Sequence, residues 1–400
     1  MNGTIGTAEM PTIDLDPYSD EVMLDPYPFF EKLREAPVSW IEPLQCYAVG
    51  RFDEVSQVAS DYARFSSEGG VGYSDIRKPG ALRARSPITE VDPPEHSKAR
   101  STLQKLLSPA IVRKWRDAFD AHAELVVQKA LAKGDVDGVK DIAVDFVLGA
   151  FPPLLGIDMP RENLIVTGEL NHNQLGPNNE RLRRSLKEAA PYLEWYDKVL
   201  SREYMQPGGL GEQMFIAEDE GGFAPGTGRL HLRSFFRASV DTTMAAIGFT
   251  LEQLARRPDQ YEAVRSDPEK VKAAFEESLR FESPALVMYR VTTKDVELSG
   301  YKLKDDTKVA WYPGAANRDP RQFENPDEFD LNREGLFGVQ RAFGFGIHVC
   351  VGQMIARFEG QSILRALTRH VSRIELTGEP QLRLVNSLRN LGTLPLRLHA

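Results

Sequence analysis

The chain has 400 residues, 42% of them apolar and 27% charged, and its 49 Lys and Arg against 58 Asp and Glu leave a net charge of −9. That composition supports a large core, contains no apolar run near the roughly 18 residues of a membrane span, and argues against nucleic acid as the main partner. Two cysteines, Cys46 and Cys350, exclude a disulfide scaffold. Taken in order, Asp25 to Ala36 places Phe29, Phe30 and Leu33 at helical spacing behind Pro26 and Pro28. Val38 to Ile41 and Cys46 to Val49 read as a hairpin, with Cys46 structural. A helix is expected over Phe52 to Ser60, then a Gly-, Ser- and Pro-rich loop over Phe65 to Pro87, long enough to be a binding loop or a mobile surface segment.

Asp92 and Pro93 are expected to cap and open the next helix, and His96 and Arg100, four apart, share its face. Leu106 to Leu155 follows helical periods, Asn171 to Asn179 is a polar break, and Tyr192 to Met205 is expected to be helical. Arg229 to Arg257 runs 29 residues without proline, on the order of 43 Å as one helix, and is apolar around much of its circumference. Within it, Asp241 precedes Thr242 and Thr243. An acid beside two β-branched hydroxyls is costly in a buried helix, but it suits a local bend that holds water and passes protons. Glu277 and Arg280 have ion-pair spacing. Ser283 to Arg290 leaves that helix as a strand, Val296–Leu303 and Thr307–Tyr312 read as a hairpin around Asp305-Asp306, and Gln381 to Leu398 reads as three short strands with a turn at Leu391 to Leu394.

The organising stretch is Phe343-Gly344-Phe345-Gly346-Ile347-His348-Val349-Cys350-Val351-Gly352. Its glycines permit positive φ and close backbone approach, so the loop can fold around the sulfur and aim N–H groups at it. A lone cysteine is most often a small buried hydrophobe. A zinc site would need further ligands beyond His348 and Cys350, and no second pair is spaced to supply them. The whole pattern resembles the cysteine-ligand loop of the cytochrome P-450 superfamily of haem-thiolate monooxygenases. The resemblance extends over most of the chain through His96/Arg100, Ala238 to Thr243 and the Glu277/Arg280 pair, with Arg333 as the candidate third partner. It departs at Ser239, where the family usually has glycine.

The resemblance implies a mainly α fold with a minor β region, a triangular prism with a long central helix across the haem, formed by a single domain over residues 1–400. It implies haem b with Cys350 as axial iron ligand, Phe343 beside it, and His96, Arg100, Arg290 and His348 on the propionates. Asp241 and Thr242 would be the catalytic proton relay. With no basic-then-apolar leader in Met1 to Asp16, a cytoplasmic, monomeric, bacterial-type system is expected, without membrane attachment. No flavin or nicotinamide fingerprint is visible, so electrons would come from NADH or NADPH through a ferredoxin reductase and a ferredoxin. The ferredoxin would dock on Lys98, Lys105, Arg113, Lys114, Arg116 and Arg357.

The stretches Phe65-Ser66-Ser67, Gly70 to Asp75 and Arg233-Ser234 resemble the bacterial subgroup that oxidises para-substituted benzoates, often by O-demethylation. Expected pocket residues are Tyr73, Ser74, His172, Leu175, Arg233, Ser234, Arg237, Ala238, Ala285, Met288 and Leu391. Glu68 stands where the loop arginine is expected and would repel a carboxylate. A small oxygenated aromatic such as a methoxyarene or phenol is therefore expected first, a benzoate second. A peroxide-driven peroxygenase and a non-catalytic haem sensor are the other classes that the sequence leaves open.

Overall fold

Helix Asp241–Ala255 lies at the centre because its sequence leaves it no polar face: every residue except Thr242 and Glu252 is buried. It packs with Pro109–Lys133, Asp145–Leu155 and Gln353–His370 in the largest apolar cluster, whose fully buried members include Phe119, Phe146, Phe151 and Phe275. Truncating one such ring costs about 3–5 kcal/mol. The computed structural model describes residues 9–79, 81 and 83–400.

The central stretch is two helices, not one. Gly228–Ser239 and Asp241–Ala255 meet at Val240, whose ψ of −67° departs from the helical value. Three hydroxyls turn back onto the helix at this point. Ser239 Oγ donates to the Phe235 carbonyl at 2.7 Å, Thr242 Oγ1 to that of Ala238 at 2.7 Å, and Thr243 Oγ1 to that of Ser239 at 2.9 Å. Such back-bonding bends helices.

The larger of the sheets has six strands, in the spatial order Thr12–Ile13, Ser39–Ile41, Cys46–Val49, Lys308–Trp311, Met288–Thr292 and Phe65–Ser66. The hairpin expected around Asp305-Asp306 is replaced by a tighter one, Val296–Leu298 with Tyr301–Leu303. Lys308–Trp311 instead joins the six-stranded sheet between Cys46–Val49 and Met288–Thr292. The expected helix over Tyr192 to Met205 reduces to Leu193–Val199 between two single 3-10 turns. Cys46 is buried in its strand, and burial pushes its thiol up to about 12, consistent with a structural role. Among the described residues no helix is long and apolar enough to cross a membrane.

Candidate functional site

The glycine-rich loop closes around Cys350 through its backbone. Gly344 and Gly346 both sit at φ +75°, and the Cys350 N–H donates to the Phe343 carbonyl at 2.8 Å. A Cβ on Gly346 would stand 2.6 Å from Ser60 Cα, so this position admits only glycine. Helix Gln353–His370 starts three residues after the cysteine, and the N–H groups of Gly352 and Gln353 hydrogen-bond to the sulfur. Burial raises the thiol pKa; these donors and the charges of Arg100 and Arg357 oppose it. Among the described residues no three metal-ligating side chains converge, so a zinc site lacks a ligand set.

Cys350 lines a cavity of about 340 Å³ that also reaches Thr242 on the central helix, Met288 on its strand and Leu175 after the polar break. On one side four cationic or potentially cationic groups crowd together. The His96 and His348 rings lie 4.3 Å apart, Arg100 Nη1 donates to the Val349 carbonyl at 2.6 Å, and the buried Arg290, among the described residues, donates only to its own strand at Tyr289 O. Among the described residues, buried His96 Nε2 has no partner. Burial, then His348 and Arg100, lowers the His96 pKa to about 4, and burial lowers Arg290 to about 10. The nearest carboxylate is Asp92, 3.5 Å from His348 Nε2. Asp92 does not cap the following helix, which begins at Glu95 behind Pro94; it accepts from Ser66 Oγ at 2.5 Å and from the Ser67 N–H. Cationic donors in such excess over carboxylates, opposite a thiol cradled by N–H groups, fit a haem with its propionates on this side.

The other end of the cavity is polar too. Arg237 donates to Gln174 Oε1 at 3.3 Å, and among the described residues no carboxylate pairs with it; burial lowers its pKa to about 10. Ser234 Oγ accepts from Ser86 Oγ at 3.0 Å, and Arg233 reaches Asp197 only at 3.9 Å. Arg233, Ser234, Ala238, Ala285 and His172 all line this cavity. Glu68 does not: it faces Arg85 at 3.1 Å in a half-exposed pair, which removes the expected repulsion of a carboxylate.

Several expected residues lie elsewhere. Tyr73 and Ser74 do not line the cavity; the Tyr73 ring packs against Tyr18 and Tyr289. Leu391 is on strand Leu388–Thr393 rather than in a turn, and faces a second cavity of about 350 Å³. The turn that does reach the first cavity is Asn386-Ser387, with Leu388. Asp241 also faces the second cavity, beside Arg383, whose Nη2 is 3.8 Å from Oδ1. Its carboxylate packs on the bare backbone of Gly168, where a Cβ would come within 2.2 Å of Oδ2. Burial, opposed by Arg383 and reinforced by Glu169, raises its pKa to about 6. Arg357 is buried against Glu276 and cannot belong to a docking face.

The loop after Phe65 is held from inside. Lys308 Nζ donates to the carbonyls of Gly69, Gly70 and Gly72, each at 2.8 Å, and burial lowers its pKa to about 7. The buried Glu90 accepts from the Val71 N–H at 3.1 Å, from the Ser86 N–H at 2.8 Å and from Arg83 Nη1 at 2.8 Å. Neither residue stands out in the sequence, because each acts on a segment remote from it or hidden by irregular backbone.

The family model described as Cytochrome P450 matches residues 213–386. Cytochrome p450 CYP199A2 of Rhodopseudomonas palustris is 39% identical over 394 residues, 98% of this chain and 95% of that one. Among solved structures, cytochrome P450 CYP109Q5 from Chondromyces apiculatus superposes with a TM-score of 0.81 at 28% identity, covering 97% of this chain and 98% of that one. Cytochrome P450 CREJ, solved in complex with (4-ethylphenyl) dihydrogen phosphate, superposes with a TM-score of 0.86 at 25% identity, covering 96% and 99%.

Proposed function

The chain belongs to the cytochrome P450 family and is a haem-dependent monooxygenase; from that premise we propose that it oxidises a small aromatic compound carrying an anionic group, by hydroxylation or O-demethylation. The observation that carries the substrate class is Arg237, a half-buried guanidinium lining the cavity with no carboxylate among the described residues in an ion pair with it, Glu90 acting on it only from farther away. A half-buried cation without a directly paired carboxylate is unfavourable, and a carboxylate on the substrate would supply that partner through charge-assisted hydrogen bonds. CREJ, bound to an aryl phosphate, shows that one relative in this fold takes an aromatic anion.

In this reading the Cys350 thiolate would hold the haem iron, and haem held in this way would supply dioxygen activation. His96, Arg100, Arg290 and His348 hold the propionates. Thr242 presents its hydroxyl at the cavity, while Asp241 takes up protons on the second-cavity side of the helix bend. Electrons come from a ferredoxin docked on the exposed Lys98, Lys105, Arg113, Lys114 and Arg116. Charge reversal at Arg113 and Lys114 is expected to lower ferredoxin-driven turnover and flatten its salt dependence; unchanged rates would remove that surface.

The test of substrate class is an optical titration of the haem protein with 4-methoxybenzoate and with neutral 4-methoxytoluene. The acid is expected to bind at least about tenfold tighter. Equal binding of the neutral compound would overturn the proposal.

A further inference from the structure

His172 sits at the C-terminal end of helix Arg161–Asn173, and its ring lines the same cavity as Arg237. Two contacts fix which ring nitrogen carries the proton. Ser387 Oγ lies 3.0 Å from the His172 carbonyl oxygen and 3.1 Å from its Nδ1. A hydroxyl has one proton to give. If it went to Nδ1, two oxygens would face each other lone pair to lone pair at 3.0 Å. With Nδ1–H donating to Oγ and Oγ–H donating to the carbonyl, every atom of the chain is satisfied. Nε2 is then a bare acceptor, and among the described residues it is buried with no partner.

The surroundings keep the ring neutral. Burial, then the cations Arg237 and Arg383, lowers its pKa to about 3. A buried acceptor without a donor is unfavourable, so the group that completes it comes from the cavity. A second cation beside Arg237 would be repelled, which leaves a neutral donor, and on an oxygenated aromatic acid that is a hydroxyl.

Resting on the aromatic-anion reading above, we infer that His172 Nε2 accepts a hydrogen bond from a phenolic hydroxyl of the substrate. The preferred substrates are then aromatic acids bearing a free hydroxyl in addition to the group that is oxidised. His172 and Arg237 divide recognition between them: one reads a donor, the other a negative charge. A site built to pair with a hydroxyl rejects the analogue lacking it, because its own polar group is left unpaired.

The experiment measures equilibrium binding to the haem protein, by calorimetry and by optical difference, for hydroxymethoxybenzoate isomers against the methoxybenzoates that lack the hydroxyl. In the wild type at least one hydroxylated isomer is expected to bind about tenfold or more tightly than its counterpart. The ratio should fall to about one in His172→Leu and be retained in His172→Gln, whose amide oxygen is again an acceptor. Nitrogen-15 shifts of the His172 ring, read without ligand, should show Nδ1 protonated and Nε2 bare. A preference that survives in His172→Leu, no preference in the wild type, or a protonated Nε2 would overturn the inference while leaving the aromatic-anion reading in place. Failure of every aromatic acid to bind would overturn both.

Discussion

Two arginines, the fully buried Arg280 and the half-buried Arg237, differ in how far the chain itself meets their charge. Arg280 is fully buried and its donors are matched. Its Nε and Nη2 meet Glu277 at 2.7 Å each, Nη1 reaches the carbonyls of Asn317 and Pro326 at 2.9 and 2.7 Å, and Nη2 also reaches that of Glu328 at 2.9 Å. Arg333 adds a second cation 3.5 Å from Glu277. Arg237 has one neutral amide. The first cluster is complete within the chain and ties helix Lys270–Phe281 to the segment leading to the cysteine loop. In the proposed reading the second, like the group of His96, Arg100, Arg290 and His348, is completed by a bound group.

The contrast can be broken most severely at the cysteine. Cys350→His is expected to abolish the strongly red-shifted Soret band of the reduced carbon monoxide complex outright, while the ion-paired cluster keeps the fold intact by circular dichroism. Next in size, Arg280→Ala leaves Glu277 buried with only a peripheral cation, and urea denaturation should register a loss of about 3–5 kcal/mol. Asp241→Asn tests a buried acid that is also incompletely paired. The wild-type carboxyl has a folded pKa of about 6 against 3.8 for an unstrained one. The folded state therefore holds the proton more tightly, and stability that is full below pH 4 is lost as pH rises through 6. The loss amounts to about 3 kcal/mol, and the asparagine variant should lack that slope in denaturation curves taken between pH 4 and 7. Smallest in stability, Arg237→Met should leave the melting temperature unchanged or raised, because it removes an unbalanced charge. It should weaken binding of an aromatic acid by roughly ten- to a hundredfold.

The same contrast explains what could be read before the fold was in hand. The cysteine loop and the Glu277/Arg280 pair are local: their glycines and their three-residue spacing place the groups together whatever the rest of the chain does. The bend at Val240 follows from hydroxyls that can return to the preceding turn, and the Asp241-Thr242 stretch announced it, although the split into two helices needed the geometry. Residues of the far end of the cavity were partly legible, since Arg233, Ser234 and Arg237 share one helix. Leu391 failed because the strands at the C-terminal end turn at Asn386-Ser387, five residues earlier than expected, and a strand's facing follows its register. Asp92 failed because Ser66, remote in sequence, competes for it. The pairings of His172 with Ser387 and of Lys308 with the glycine loop join segments more than 200 residues apart, and no local pattern encodes them.

Lys308 has a kinetic corollary. One ammonium clasps Gly69, Gly70 and Gly72 at once, so this segment does not peel away residue by residue. A ligand that enters by displacing it waits for a single concerted release. Stopped-flow association should then level off at high ligand concentration, at the frequency of that release, and Lys308→Met should restore a rate that climbs in proportion to the ligand supplied.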